Sequence, residues 1–222
     1  DVRASALLPG QGGTHFEVSV RGGDAEALFL ALPGRHNVLN ALAAVAIARE
    51  LDVEWPAIRK ALAGFQGIGR RLEPHGELRL GNAGIQLIDD YGHHPRELAA
   101  TFEAVRAAWP ERRLVVVFQP HRYSRTRDLF DDFCAVLSTA DALVLTEVYA
   151  AGEKAIPTAD SRHLAQGIRV RGRLTPVVVQ DVREVVETLP GVVADGDVVL
   201  TLGAGDVGGL PAMLKARFGA SS

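Results

Sequence analysis

Residues 114–128 read LVVVFQPHRYSRTRD, a short apolar run that passes into an arginine-rich loop and then into a helical pattern. A short run of leucine, valine and phenylalanine bounded by polar residues is typical of a strand that is buried on both faces. Similar runs recur after residue 84, and segments with helical spacing separate them. Strands that alternate with helices predict an α/β fold with a mostly parallel sheet.

The same patterns predict each element of this sheet and of the helices that cover it. The predicted strands are residues 85–88, 114–118, 142–145, 177–179 and 198–202, and the predicted helices are residues 95–109, 127–139, 161–170, 181–189 and 210–218.

In such a sheet ligands gather beyond the carboxyl ends of the strands, so the loops that follow the strands are the expected place for a site.

The first 69 residues have a different pattern of apolar and polar residues. Two glycines among residues 66–69 mark a domain boundary at their end. Residues 35–51 predict a helix that is apolar on nearly every side, and such a helix is expected to be buried. The other predicted elements are a hairpin of residues 14–20 and 27–32 around the turn Gly22-Gly23-Asp24, and a helix at residues 55–65.

The composition describes a globular chain. The 222 residues are 47% hydrophobic and 23% charged, and the net charge of −3 gives no electrostatic reason to expect nucleic acid. No apolar stretch approaches the roughly 20 residues that a membrane span needs. A single cysteine, Cys134, cannot form an intrachain disulfide, which agrees with a reducing compartment. We therefore expect a cytoplasmic protein without a nucleic-acid or membrane partner.

Two rare residue types also carry information. The only methionine is Met213 and the sequence begins at Asp1, so we expect either a processed product or a piece of a longer protein, and we favour the second interpretation. Lysine occurs only at Lys60, Lys154 and Lys215, and none of them completes the G-x-x-x-x-G-K-[ST] pattern of a phosphate-binding P-loop.

The predicted buried helix begins with a polar block, GRHNVLN at residues 34–40. Asn37 and Asn40 are three residues apart and share a helix face, and a carboxamide has the donors and acceptor that suit a purine edge. His36 precedes them. The alternative is a helix cap, because asparagine commonly satisfies the free amides of a first turn. Spacing alone leaves both interpretations open.

A second polar block, DDYGHHP at residues 89–95, follows the first predicted strand of the sheet. Two adjacent carboxylates and two imidazoles could bind a divalent metal or a ribose, or transfer protons. One alternative is a helix-capping loop with solvated acidic residues. The other is a metal-dependent hydrolase that would use Asp89, Asp90, His93 and His121, although adjacent histidines seldom point toward one ion.

The third block is the arginine-rich loop after residue 118. Arg122 and Arg125 are three residues apart, and in a helical turn both guanidinium groups would lie on one side, suited to a carboxylate or phosphate. The block therefore predicts an anion site at the start of a helix. We expect Arg127 and Asp128 to form a surface pair.

Several weaker signals accompany these blocks. Residues 149–153 and 160–162 belong to a polar loop that either closes over the same edge of the sheet or is an ordinary long loop. The GAGD sequence at residues 203–206 is similar to a dinucleotide turn, but the third glycine of that turn is misplaced. Arg70 and Arg71 are either anion ligands or linker charges.

Together these blocks resemble the Mur ligase family, which carries them in the same order, and the resemblance covers nearly the whole chain. It implies a Rossmann-like C-terminal domain at residues 70–222. Residues 1–69 would be the end of the central ATPase domain, with the P-loop upstream. The blocks are GRHNVLNALAA, GIGRRLE, DDYGHHP, FQPHRYSRTRD, YAAGE with ADSR, and GAGD.

The resemblance also implies an activity. The expected enzyme is an ATP-dependent ligase of peptidoglycan precursor synthesis that joins L-alanine to UDP-N-acetylmuramate through an acyl phosphate, with ATP and Mg²⁺ as cofactors. A member that attaches a tripeptide to the same sugar is the alternative within the family, and residues 121–128 favour alanine. A non-catalytic nucleotide-binding module is the alternative outside it. Without a P-loop, the chain alone is expected to be inactive.

Roles of individual residues are implied by the same resemblance. The two asparagines would contact adenine, and the nucleotide side as a whole would comprise His36, Asn37, Asn40, Arg71 and Asp90. The amino-acid side would comprise Tyr91, His93, His121, Arg122 and Arg125, with the two arginines as a carboxylate clamp and the two histidines as catalytic residues. No residue is assigned to a metal.

Overall fold

The structure is a computed structural model that describes residues 2–10, 12–21, 23–65, 67–172 and 174–219. Gly22 of the predicted turn and Gln66 of the predicted boundary lie outside the described residues. The chain divides into two compact units. Unit 1 comprises Asp1–Gly69 with Glu103–Pro110, and unit 2 comprises Arg70–Phe102 with Glu111–Ser222.

Unit 1 is a three-stranded antiparallel sheet packed against two helices. Its elements are β1 (Val2–Gly10), β2 (Gly13–Val20), β3 (Glu26–Leu30), α1 (Arg35–Glu50) and α2 (Trp55–Ala63). The predicted hairpin corresponds to β2 and β3, which pair in antiparallel register. Alternation along β2 buries Phe16 and Val18, and these pack with Val38 of α1 and Ile58 of α2 in one core.

Helix α1 differs from the prediction of a buried helix. Its buried residues, Asn37, Val38, Ala41 and Val45, form a single stripe. Leu39 is 54% exposed and Ile47 is 63% exposed. The prediction was wrong because a sheet of three strands covers one side of a helix, so the remaining apolar side chains of α1 face outward.

Unit 2 contains the six-stranded sheet. Its order is β4-β5-β9-β6-β7-β8, and every pair is parallel except β4 with β5. The strands are β4 (Glu73–Leu80), β5 (Ala83–Asp90), β6 (Leu114–Phe118), β7 (Ala142–Leu145), β8 (Val177–Val178) and β9 (Val198–Leu202). The helix α3 (Pro95–Ala108) begins in unit 2, and its residues from Glu103 onward belong to unit 1. The remaining helices of unit 2 are α4 (Tyr123–Asp128), α5 (Phe130–Leu137), α6 (Ser161–Val170), α7 (Val182–Thr188) and α8 (Leu210–Phe218).

The central strands explain why this sheet forms. Every residue of β6 and of β9 is buried, which requires cover on both faces of the sheet. On one face, valines and leucines of β5, β6, β7 and β9 pack with apolar residues of α7 and α8. The predicted α/β class with a mostly parallel sheet is therefore confirmed. Among the described residues, no helix combines the length and the apolar character that crossing a bilayer would require.

Four elements of the chain depart from the predicted pattern. Strands β1 and β4 were not predicted, because both are edge strands whose sequences are largely polar or irregular. The single helix predicted at residues 127–139 is two helices, α4 and α5, which meet at Leu129 where φ is −117° and ψ is 24°. Strand β5 extends two residues beyond the predicted end, to Asp90.

Candidate functional site

Strands β5, β9, β6 and β7 are neighbours, run parallel and end at one edge of the sheet of unit 2. The polar blocks follow these ends, and the rings of His93 and His121 lie 5.7 Å apart between centroids. The structure therefore brings together the DDYGHHP block and the arginine-rich block, as the parallel sheet predicted.

The acidic pair at the end of β5 is buried rather than solvated. Asp89 is 1% exposed, and its carboxylate accepts hydrogen bonds from Arg70 Nε at 2.7 Å and Thr201 Oγ1 at 2.5 Å. Asp90 is 3% exposed and accepts from the amides of Leu72 at 2.9 Å and Gly92 at 2.8 Å. The interpretation as a capping loop with solvated acidic residues is wrong, because β5 carries both carboxylates into the sheet.

The two arginines at the start of unit 2 have different surroundings. Arg70 pairs with Asp89, donates from Nη2 to the carbonyl oxygen of Gly203 at 2.6 Å, and lies 5.3 Å from the ring centroid of Tyr91. Arg71 is exposed. Arg70 is therefore a structural residue that ties the start of the unit to the ends of β5 and β9, and Arg71 is the arginine that solvent can reach.

His93 and His94 point toward different partners, as adjacent histidines were expected to do. His93 Nδ1 lies 3.1 Å from the carbonyl oxygen of Tyr91, whereas His94 Nδ1 accepts from the amide of Arg96 at 3.3 Å. Glu97 accepts from the amides of both histidines. Burial acts to raise the pKa of Glu97, but these amides and the charges of His93 and Arg71 outweigh it, so the pKa is lowered.

Four rings form a row along the edge, which we call the aromatic row: Tyr91, His93, His121 and Tyr149. Tyr91 and His93 meet edge to face at 5.3 Å between centroids, and His121 stacks on Tyr149 at 5.4 Å with 16° between the planes. The pKa of His121 is lowered by burial first, and then by the neighbouring His93, Arg125 and Arg122, while Glu153 opposes the shift.

Arg122 and Arg125 are both beside His121, and only Arg125 lies within α4. Arg122 is the residue before α4, with φ 73° and ψ 131°, a left-handed conformation that favours glycine and costs an arginine about 1–3 kcal/mol. Arg125, within α4, donates from Nη1 to the carbonyl oxygen of His121 at 3.2 Å and lies 3.4 Å from its Nδ1. The predicted surface pair is confirmed, since Arg127 and Asp128 are exposed and 2.7 Å apart.

The residues proposed for the nucleotide lie in both units. His36, Asn37 and Asn40 belong to α1 of unit 1, and Arg71 and Asp90 belong to unit 2. Asn37 is buried and donates from Nδ2 to the carbonyl oxygen of Pro33 at 2.8 Å, whereas Asn40 is exposed. Neither asparagine is the helix cap, because that position is held by Gly34.

A metal site was one alternative for the acidic and histidine residues. Within the residues that the structure describes, no three histidine, cysteine, aspartate or glutamate side chains are placed to hold one ion. The oxygens of Asp89 and Asp90 accept bonds from Arg70, Thr201 and two backbone amides. These residues do not fit a metal centre, which removes the argument for a metal-dependent hydrolase built on them.

The lowered pKa of His121 gives a prediction. We expect its imidazole to titrate below the usual value of 6.5 in an NMR titration of the 222-residue chain. Between the folded and unfolded pKa values the unfolded chain binds more protons, so this group's contribution to stability is present above about 6.5 and is lost as the pH falls through the folded pKa. Arg125→Ala should raise the pKa of His121, because one cationic neighbour is removed. A wild-type value at or above 6.5 would contradict the prediction.

Two residues of the site were missed or left undecided by the sequence. Gln119, directly after β6, is buried, bonds from Nε2 to Asp206 and accepts from the amide of Val207 at 3.1 Å. Tyr149 was noted only as part of a polar loop. No spacing rule indicated either of them, and their position directly after or close behind parallel strands is the one signal that could have found them.

Comparison with known proteins agrees with this arrangement. Unit 2 is an α/β domain with a mostly parallel sheet, and the profile of the family described as Mur ligase, glutamate ligase domain, matches residues 70–205. The chain belongs to the Mur ligase family. UDP-N-acetylmuramate–L-alanine ligase of Halorhodospira halophila is 59% identical over 214 residues, which are 96% of this chain and 44% of that protein.

Solved structures extend the comparison. The crystal structure of UDP-N-acetylmuramate–alanine ligase from Thermotoga maritima has a TM-score of 0.80 at 26% identity, covering 97% of this chain and 45% of that one. A murein peptide ligase from Psychrobacter arcticus has a TM-score of 0.67 at 23% identity, covering 100% and 45%, and shows the fold alone. The chain thus spans less than half the length of these relatives.

Proposed function

We propose that the chain is the C-terminal part of an ATP-dependent ligase that joins L-alanine to UDP-N-acetylmuramate in peptidoglycan precursor synthesis, in the cytoplasm. Residues 1–69 would complete the central ATPase domain, and residues 70–222 would be the C-terminal domain. The observation that supports this most directly is the cluster of His93, His121 and Arg125 at one edge of the sheet. A fixed cation can bind the carboxylate of an α-amino acid and so aim its amine, and an imidazole can accept the proton that the amine loses.

Arg122 and Arg125 are the proposed clamp for the carboxylate of L-alanine. A guanidinium fork binds a carboxylate through two parallel hydrogen bonds, so the amine at the other end of the substrate is held in one direction. Arg125 is itself oriented by its bond to the carbonyl oxygen of His121. Tyr91, at the other end of the aromatic row, is the proposed side wall of this subsite.

The hydrogen bonds of the two histidines support a different proposed role for each. A carbonyl oxygen only accepts, so the contact of His93 Nδ1 with Tyr91 places the proton on Nδ1 and leaves a lone pair on Nε2. A guanidinium only donates, so the contact of Arg125 with His121 Nδ1 places the proton of His121 on Nε2. His93 is therefore the proposed proton acceptor, and His121 the proposed hydrogen-bond donor.

In the proposed reaction ATP transfers its terminal phosphoryl group to the lactyl carboxylate, giving an acyl phosphate and ADP. The amine of alanine attacks the acyl carbon, a C–N bond forms, and the C–O bond to phosphate breaks. His93 Nε2 would take the proton that the amine loses. No described residue is assigned to Mg²⁺, which would stabilise the negative charge of the transferred phosphate. His36, Asn37, Asn40, Arg71 and Asp90 remain the proposed nucleotide-side residues.

The test compares the full-length ligase that carries this chain with the 222-residue chain alone. We expect the full-length protein to release phosphate from ATP in the presence of UDP-N-acetylmuramate and L-alanine, and the chain alone to release none, because it contains no P-loop sequence. Replacing alanine with a tripeptide tests the alternative substrate. Tripeptide-dependent release without alanine-dependent release would overturn the proposal, as would strong alanine-dependent release by the chain alone.

A further inference from the structure

The loop after β7 crosses to the loop after β6 through its backbone. The amide of Tyr149 donates to the carbonyl oxygen of Pro120 at 2.8 Å, and the amide of Arg122 donates to the carbonyl oxygen of Tyr149 at 2.8 Å. His121 and Tyr149 form a parallel bridge between these bonds. The pairing of β6 with β7 therefore continues beyond the strand ends, up to the residue that carries the imidazole.

The side chain of Tyr149 is fixed from more than one direction. Its ring stacks on His121 and also contacts Gly205 closely, since a Cβ at Gly205 would lie 2.7 Å from Cγ of Tyr149 and 2.3 Å from Oε1 of Gln119. Real Cβ atoms do not approach other atoms so closely, so residue 205 has to be glycine for the ring to occupy this position. Tyr149 nonetheless remains 41% exposed, so it lies at the surface of the site.

The same loop holds the start of α4. Glu153 accepts from the amide of Ser124 at 3.0 Å and from its hydroxyl at 2.6 Å. These bonds lower the pKa of Glu153, so the carboxylate is charged at neutral pH and the bonds are charge-assisted. Ser124 lies between Arg122 and Arg125, so this loop orders the segment that carries both arginines.

We propose that Tyr149 is a positioning residue for the amino-acid side of the site. Its ring holds the imidazole of His121 beside Arg125, so that the two present a fixed pair of donors to the substrate carboxylate. The inference rests on the proposed function, and it adds a residue from a loop whose role the sequence left open. The titratable and charged groups facing His121 are His93 after β5, Arg122 and Arg125 before and in α4, and Tyr149 and Glu153 after β7.

The first test uses the full-length ligase. Tyr149→Ala is expected to raise the KM for L-alanine about tenfold and to leave the KM for ATP within about twofold, because a displaced donor weakens the binding of one substrate. Tyr149→Phe keeps the ring and loses the hydroxyl, so it should restore most of the wild-type KM. An alanine KM within twofold of wild type in Tyr149→Ala, or a Phe variant as impaired as the Ala variant, would overturn the proposal.

The second test needs no activity and uses the 222-residue chain. NMR titration of His121 should give a pKa closer to the usual value in Tyr149→Ala than in wild type or in Tyr149→Phe, because the stacked ring that buries the imidazole is lost. An unchanged pKa of His121 in Tyr149→Ala would overturn the positioning role even if the full-length protein proved to have another activity.

A further variant serves if Tyr149→Ala does not fold. Glu153→Ala removes the hydrogen bonds to Ser124 and should raise the alanine KM of the full-length ligase in the same way. An unchanged alanine KM would overturn the role of the loop.

Discussion

Arg125→Ala in the full-length ligase is expected to raise the KM for L-alanine by about 10- to 100-fold and to leave the KM for ATP within about twofold. Hydrogen bonds to charged groups contribute about 1.5–3 kcal/mol, and about 1.4 kcal/mol corresponds to a factor of ten. The side chain contacts the backbone and ring of His121, so its guanidinium is oriented before substrate binds. Initial-rate kinetics with one substrate varied at a time measure both constants.

Arg127→Ala is the matched control for this variant. It removes the same charge two residues away, but Arg127 is exposed and pairs with Asp128. We expect both KM values to stay near those of wild type. Arg125→Lys keeps the charge and loses the fork, so its alanine KM should lie between those of wild type and Arg125→Ala. An alanine KM that is unchanged in Arg125→Ala would refute the clamp.

Arg70→Ala is expected to lower the free energy of unfolding of the 222-residue chain by about 3–5 kcal/mol, the usual cost of removing one partner from a buried ion pair. Asp89 is 1% exposed, so its carboxylate would be buried without the guanidinium that pairs with it. The bond from Arg70 to the carbonyl oxygen of Gly203 would also be lost. Urea denaturation followed by circular dichroism measures the change.

The neighbouring Arg71→Ala is the control for stability, because Arg71 is exposed and a surface substitution changes stability by about 0.5 kcal/mol or less. The double variant Arg70→Ala/Asp89→Asn removes the buried charge together with its partner and should recover part of the loss. Equal effects of Arg70→Ala and Arg71→Ala would show that the Asp89 pair does not stabilise the fold.

The sequence predicted the central sheet because burial on both faces leaves an unbroken apolar run, as in β6 and β9. It did not predict β4, where only Leu78 and Leu80 are buried and the other residues are exposed or half-exposed. An edge strand forms through pairing with a neighbour, and that information lies in β5 rather than in β4 itself. The sequence of α1 likewise did not predict its exposed face, because exposure depends on how much of the surrounding protein covers the helix.

The site was predictable to the extent that parallel strands end together. That rule placed His93 and His121 near each other, and the structure confirms it. The rule says nothing about burial, so the acidic pair was expected in a loop, whereas two further residues of β5 carry it into the sheet. Residue chemistry did not distinguish Arg70 from Arg71, and only the family resemblance named Arg71. In the structure the position of Asp89 separates them.

The backbone of Arg122 has an evolutionary consequence. At φ 73° a glycine would relieve strain of about 1–3 kcal/mol, and the same change would delete one arm of the proposed clamp. Stability and substrate binding therefore select for different residues at this one position. A directed-evolution screen for heat tolerance alone would enrich Arg122→Gly. A screen in which growth depends on the proposed ligase reaction would remove this variant.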